Sequence, residues 1–158
     1  REGASIALRV RTNRSFHPPE DGRPLILIGN GTGLAGLRAL IKARAEAGHH
    51  RNWLLFGERS AVHDNFHAEE LTAWLLQGVL QRVDHAWSRD GAMPRYVQDA
   101  VSAQAATIAA WVEQGASIYV CGSLQGMAAG VQEALLRILG ESTLQQLTEA
   151  GSYRRDVY

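Results

Sequence analysis

The hydrophobic positions of this chain change period repeatedly. Residues 4–14 alternate, with Ile6, Leu8 and Val10 on one side and Arg9 and Arg11 on the other, the mark of a strand with one wet face. HPPEDGRP, His17 to Pro24, is rich in turn formers and reads as a linker. PLILIG (Pro24 to Gly29) and NWLLFG (Asn52 to Gly57) are short apolar runs of the kind that form buried strands. Between them, Gly33 to Gly48 puts Leu34, Leu37, Leu40 and Ile41 on one helical face. Asp64 to Gln77 reads as a helix capped by Asp64, with Leu71, Trp74 and Leu75 facing inward. Val79 to Trp87 is a third strand. Pro94 to Gln114 reads as one long helix, with Val97, Val101, Ile108 and Trp111 as its stripe and Gly115 as its end. Ala116 to Gly122 is a fourth strand, Met127 to Leu139 and Thr143 to Ala150 are helices, and Tyr153 to Tyr158 is a terminal extended piece.

From Pro24 onward strand and helix therefore alternate. That order predicts an α/β fold: a three-layer, Rossmann-like parallel sheet of about five strands, with helices on both faces and right-handed crossovers. Residues 24–158 form this unit, and residues 1–23 are a preceding strand region and linker.

Composition narrows the function. The 158 residues are 46% hydrophobic and 20% charged, enough for a packed core. Sixteen basic residues balance sixteen acidic ones, so no overall field recruits nucleic acid or an anionic membrane. No apolar run approaches the roughly 20 residues of a membrane helix. Cys121 is the sole cysteine, which excludes an intrachain disulfide framework and most structural zinc sites. His63 and His67 are four apart but lack an evident third ligand, so no metal site is expected. The tryptophans, Trp53, Trp74, Trp87 and Trp111, are expected in the core. The chain opens on Arg1 rather than methionine and reads as a piece of a longer polypeptide.

In a sheet of this kind ligands bind at the carboxyl ends of the strands, near the switch in strand order. The loop after the first strand, GNGTGLAG, carries Gly29, Gly31, Gly33 and Gly36. Strand, glycine-rich turn, then helix lets backbone amides approach a pyrophosphate at a helix N-terminus. The spacing is neither the GxGxxG fingerprint nor a Walker loop, and a tight turn without ligand remains the alternative. The loop after the third strand, AWSRDGAMPRYVQ, places Ser88 and Arg89 ahead of Arg95 and Tyr96. A hydroxyl and two guanidiniums can surround a phosphate monoester, and a tyrosine can stack on a purine. A solvated loop capping a helix is the competing reading. Cys121 ends the fourth strand, with no histidine nearby to make its thiol a nucleophile.

GNGTGLAGLR, FGER, AWSRD followed by RYVQ, IYVCG and the terminal YRRDVY, in this order, resemble the NADP-binding module of ferredoxin–NADP reductase-type enzymes. The diflavin branch is the nearest, the group of the NADPH sulfite reductase flavoprotein and NADPH–cytochrome reductase. Residues 3–19 resemble the last strands of an antiparallel FAD-binding β-barrel. The resemblance implies that Gly31, Thr32 and Gly33 line the pyrophosphate and nicotinamide path, and that Arg59 contacts the pyrophosphate. It implies that Ser88 and Arg89 hold the 2′-phosphate, that Tyr96 stacks on adenine or closes over that phosphate, and that Gln98 adds a hydrogen bond. Arg95 stands beside Pro94, where relatives carry a lysine, as the second cation. Cys121 and Asp156 would flank the nicotinamide, and Tyr158 would stack on the flavin and move aside for it. Asn30 and Gly36 replace prolines common in the family, which predicts a more mobile loop. The implied cofactors are NADPH, FAD held mostly by an upstream barrel, and FMN in a further domain. The implied partners are flavin domains of the same polypeptide and an electron-acceptor protein or domain, in the cytoplasm. A single-flavin ferredoxin or flavodoxin reductase and a non-redox NADP-binding regulatory module are the alternatives.

Overall fold

A computed structural model describes residues 16–59, 67–91 and 93–158. The strand expected at residues 4–14, and with it the barrel remnant, lies outside the described residues, as do His63 and Asp64.

Five strands form one sheet: β1 (Leu25–Asn30), β2 (Asn52–Glu58), β3 (Arg82–Trp87), β4 (Ser117–Gly122) and β5 (Tyr153–Val157). Their order is β3-β2-β1-β4-β5 and every pairing is parallel. The apolar runs of β1, β2 and β4 are fully covered because they are the three central strands. The terminal extended piece is β5, paired with β4 from Tyr153 opposite Ile118 to Val157 opposite Gly122.

Helices cover both faces. On one lie α1 (Leu34–Glu46) and α2 (Ala68–Leu76), whose Leu37, Ile41, Leu71 and Trp74 pack with Leu27, Leu54 and Tyr119. On the other lie α3 (Val97–Ala103), α4 (Ala105–Glu113), α5 (Ala129–Leu139) and α6 (Glu141–Glu149), with Val101, Ile108, Leu135 and Leu144 on Ile28, Leu55 and Val120. Each fully buried Leu or Ile contributes roughly 1.5–3 kcal/mol. Linker residues Asp21 and Arg23 are anchored below the sheet by Arg44, whose buried guanidinium donates to both their carbonyls and to Asn52 Oδ1.

Several expectations need correction, among them the third strand, which starts at Arg82 rather than Val79, and the last helix, which starts at Glu141 rather than Thr143. The long helix is two, because the backbone leaves helical geometry at Gln104 (φ −106°, ψ 27°). It also starts at Val97 rather than Pro94, where the Asp99 carboxylate accepts the Tyr96 N–H and caps it. The helix expected from Met127 starts at Ala129, after a kinked turn at Leu124–Ala128. Leu75 faces outward at 41% exposure, since Leu71 and Trp74 already occupy the inward side of a short helix. Of the tryptophans, Trp53 and Trp74 are buried, while Trp111 is half-buried against Trp53 and Trp87 half-buried against His85.

Arg38 on α1 and Glu70 on α2 form a two-pronged ion pair. The Arg38 hydrogen bond is the main cause holding the Glu70 carboxyl below its ordinary range. A depressed carboxyl pKa adds stability above the unfolded-state value and loses it as pH falls through the folded one. Glu70→Gln is therefore expected to cost less than about 1 kcal/mol at neutral pH, given partial exposure. Denaturant unfolding should show the difference vanish at acid pH. A gap unchanged at acid pH would contradict the pairing.

Candidate functional site

The strand order reverses between β1 and β4, so a crevice opens at the carboxyl ends of the sheet. A cleft of about 750 Å³ runs from there across the end of β2 toward the loop after β3.

The glycine turn after β1 has two separate jobs. A Cβ on Gly29 would lie 2.3 Å from the Cys121 carbonyl oxygen, and one on Gly33 2.2 Å from it. Both glycines are therefore required by the close approach of this turn to β4. Gly31 differs: its φ is +52°, with open space where a side chain would be. Gly31 and Thr32 form the cleft wall, whereas Gly33 is buried behind it. A tight turn at Gly31–Gly33 leads into α1, so the helix's first amides lie at the crevice.

The other end of the cleft is cationic. Ser88, Arg59 and Arg95 line it. The loops after β2 and β3 stay paired past their strands: Ser88 N donates to Glu58 O at 2.9 Å, and Arg89 N to Arg59 O at 2.7 Å. The Arg95 guanidinium donates to the Ser88 carbonyl at 3.3 and 3.4 Å and sits 5.6 Å from the centre of the Tyr96 ring. Arg95, one residue past Pro94, thus turns back toward Ser88. Arg89 is exposed next to Ser88, beyond the lining itself. Tyr96 is half exposed, its backbone fixed by Asp99. Gln98 lines the cleft and rests on α5, where a Cβ on Gly130 would come within 2.9 Å of its Cγ.

At the crevice end the C-terminus is tied in. Tyr158 donates its N–H to Gly122 O at 3.1 Å and accepts from Leu124 N at 2.9 Å. Its hydroxyl is 2.9 Å from Thr32 Oγ1. Cys121 and Asp156 are register partners on β4 and β5. Cys121 packs with Leu37 on the α1 face, and a Cβ on Gly36 would come 3.0 Å from its Sγ. Arg154, two residues from Asp156, lies over Tyr119 on that same face. Cys121, Asp156 and Tyr158 therefore stand beside the cleft rather than in its wall.

Seven expected residues are thus brought together: Gly31, Thr32, Arg59, Ser88, Arg95, Tyr96 and Gln98. The reading by residue type passed over Glu58 and the Gln125–Met127 segment, which also line the cleft. The signal was Gly126, two residues past Leu124, whose φ of +76° turns the chain over the crevice.

An end lined by Arg59, Ser88 and Arg95, a glycine turn at a helix start and an open crevice at the strand switch define a nucleotide-binding domain. The sequence profile of the oxidoreductase NAD-binding domain family matches residues 27–133, and the chain belongs to that family. Its relatives include the sulfite reductase [NADPH] flavoprotein alpha-components of Mannheimia succiniciproducens, 36% identical, and of Neisseria meningitidis and Vibrio cholerae, each 38% identical. Each comparison covers 99% of this chain and 28% of the relative, so the chain spans just over a quarter of their length. Among the described residues no helix is long and apolar enough to cross a membrane.

Proposed function

We propose that this domain binds NADPH and presents it to a flavin within a larger reductase. The observation that carries this reading is the convergence of Ser88, Arg59 and Arg95, with Arg89 adjacent, at one end of a cleft whose other end is the switch-point crevice. The donor set suits the dinucleotide. Guanidiniums match phosphate oxygens geometrically, the Tyr96 ring offers a stacking face, and the glycine turn leaves room for a pyrophosphate.

When bound, NADPH supplies a hydride to FAD, and the electrons pass on singly to FMN or an acceptor protein. This chain's own residues bind and orient. Ser88 and Arg89, with Arg95 behind them, hold the 2′-phosphate and so select the phosphorylated cofactor. Arg59 lies on the path of the pyrophosphate. Tyr96 stacks on adenine, and Gln98 adds a hydrogen bond. Gly31 keeps the cleft side of the turn clear of side-chain atoms, Gly33 lets the turn lie against β4, and Thr32 marks where the nicotinamide half arrives. Tyr158 covers that place, stacks on the flavin and moves aside from Thr32 when the nicotinamide enters. Cys121 and Asp156, at the carboxyl ends of β4 and β5, border the ring. The Asp156 carboxylate there favours positive charge on the ring. The partners are the flavin domains of the same polypeptide and an electron acceptor. A cytoplasmic location suits NADPH and a single reduced thiol.

Anaerobic mixing of the intact polypeptide with NADPH is expected to bleach its flavin absorbance, and NADH to do so far more slowly. Bleaching at equal rates by both, or by neither, would contradict the reading.

A further inference from the structure

Side-chain hydrogen bonds join the end of β1 and its turn to residues past β4 and β5. One is Thr32 to Tyr158, which is held in turn by Gly122 and Leu124. The other is made by Asn30, whose Oδ1 accepts the Ser123 N–H at 3.0 Å. The backbone donor identifies the amide oxygen as the atom involved. Asn30 is extended at φ −147° and lies in the cleft wall, so its side chain spans the crevice between β1 and β4. Ser123 is itself set by its hydroxyl, which donates to Gln125 O at 2.8 Å. A proline could neither adopt this φ nor accept a hydrogen bond from Ser123, so the bond across the crevice depends on the asparagine.

We propose that Asn30 is a positioning residue for the nicotinamide half of the dinucleotide, latching the glycine turn to the turn after β4. The inference rests on the proposed nucleotide reading. The Tyr158–Thr32 bond opens when the nicotinamide enters. The Asn30–Ser123 bond does not involve the chain end and persists. It therefore sets the width of the crevice in the bound state. The cationic end, built on the loops after β2 and β3, is independent of it.

The test is titration of the intact polypeptide with two ligands: NADP+, and 2′,5′-adenosine bisphosphate, which carries the 2′-phosphate but no nicotinamide. Asn30→Ala is expected to raise the Kd for NADP+ about three- to tenfold, the range for one lost hydrogen bond. The bisphosphate Kd should change by less than about twofold, because the far end is untouched. Ser123→Pro deletes the same bond from the donor side at φ −68°, a value proline adopts. It is expected to give the same selective loss, and it serves if Asn30→Ala does not fold. Ser123→Ala keeps the N–H and measures the hydroxyl's share. Equal weakening of both ligands, or unchanged NADP+ binding, would overturn the latch while leaving the nucleotide reading intact. Binding of neither ligand to the parent protein would overturn both.

Discussion

Replacing Arg89 by alanine is expected to weaken NADPH binding by about 10- to 100-fold and NADH binding by less than about threefold, the range for charge-assisted contacts to one phosphate. The asymmetry follows from what the two cofactors share. They differ only by the 2′-phosphate, and Arg89 follows Ser88 in the loop proposed to hold it. The substitution should be clean. The Arg89 backbone is fixed by its 2.7 Å bond to Arg59 O, and its side chain is exposed, so truncation leaves no cavity and no buried orphan. Arg95 remains to neutralise part of the phosphate charge, which is why the loss is bounded. Titration of the intact polypeptide with each cofactor, at matched salt, checks this. Salt must be matched because exposed charge pairs are screened over about 10 Å at 0.1 M. Equal loss for both cofactors would remove Arg89 from the phosphate site.

Gly33→Ala is expected to be the most damaging single change to the fold near the site. Its Cβ would lie 2.2 Å from the Cys121 oxygen, 2.6 Å from the Cys121 carbonyl carbon and 2.9 Å from Gly122 Cα. All three are backbone atoms, so no rotamer change relieves the overlap, and the turn must lift off β4. The cost is expected to be about 3 kcal/mol or more, the upper range for overpacking. Nucleotide binding should fall with it, since Gly31 and Thr32 move with the turn. Gly31→Ala is the control: it meets no atom within 4 Å, and its φ of +52° costs only about 1–2 kcal/mol. Denaturant unfolding should therefore rank Gly33→Ala well below Gly31→Ala. The reverse order would contradict the packing role assigned to Gly33.

These two residues also show what the sequence discloses and what it conceals. The sheet was legible because buried parallel strands are continuous apolar runs, and LILIG, NWLLF and SIYVC have no other comfortable place. The cleft was legible through motif and position together. Glycines after the first strand and Ser-Arg after the third converge because both loops sit at the same end of a parallel sheet. The division of labour among the glycines was not legible. Gly31 and Gly33 look alike in GNGTG, and only the distance to Cys121 separates a cleft residue from a packing residue. The break at Gln104 was hidden for a similar reason. The surrounding VSAQAATIAA has no glycine or proline, so no local breaker marks the position. Leu75 reads as inward by its place on the helical face, yet the nine-residue helix buries only Leu71 and Trp74. Asn30 read as a loosening substitution for proline. Its partner Ser123 is 93 residues away in the chain, beyond any local pattern.

If the cationic end of the cleft reads a 2′-phosphate, calorimetric titration of the intact polypeptide with NADP+ and, separately, NAD+ will separate the two cofactors. NADP+ is expected to bind at least about 10-fold tighter than NAD+, the value of one charge-assisted contact. Equal affinity for the two would contradict it.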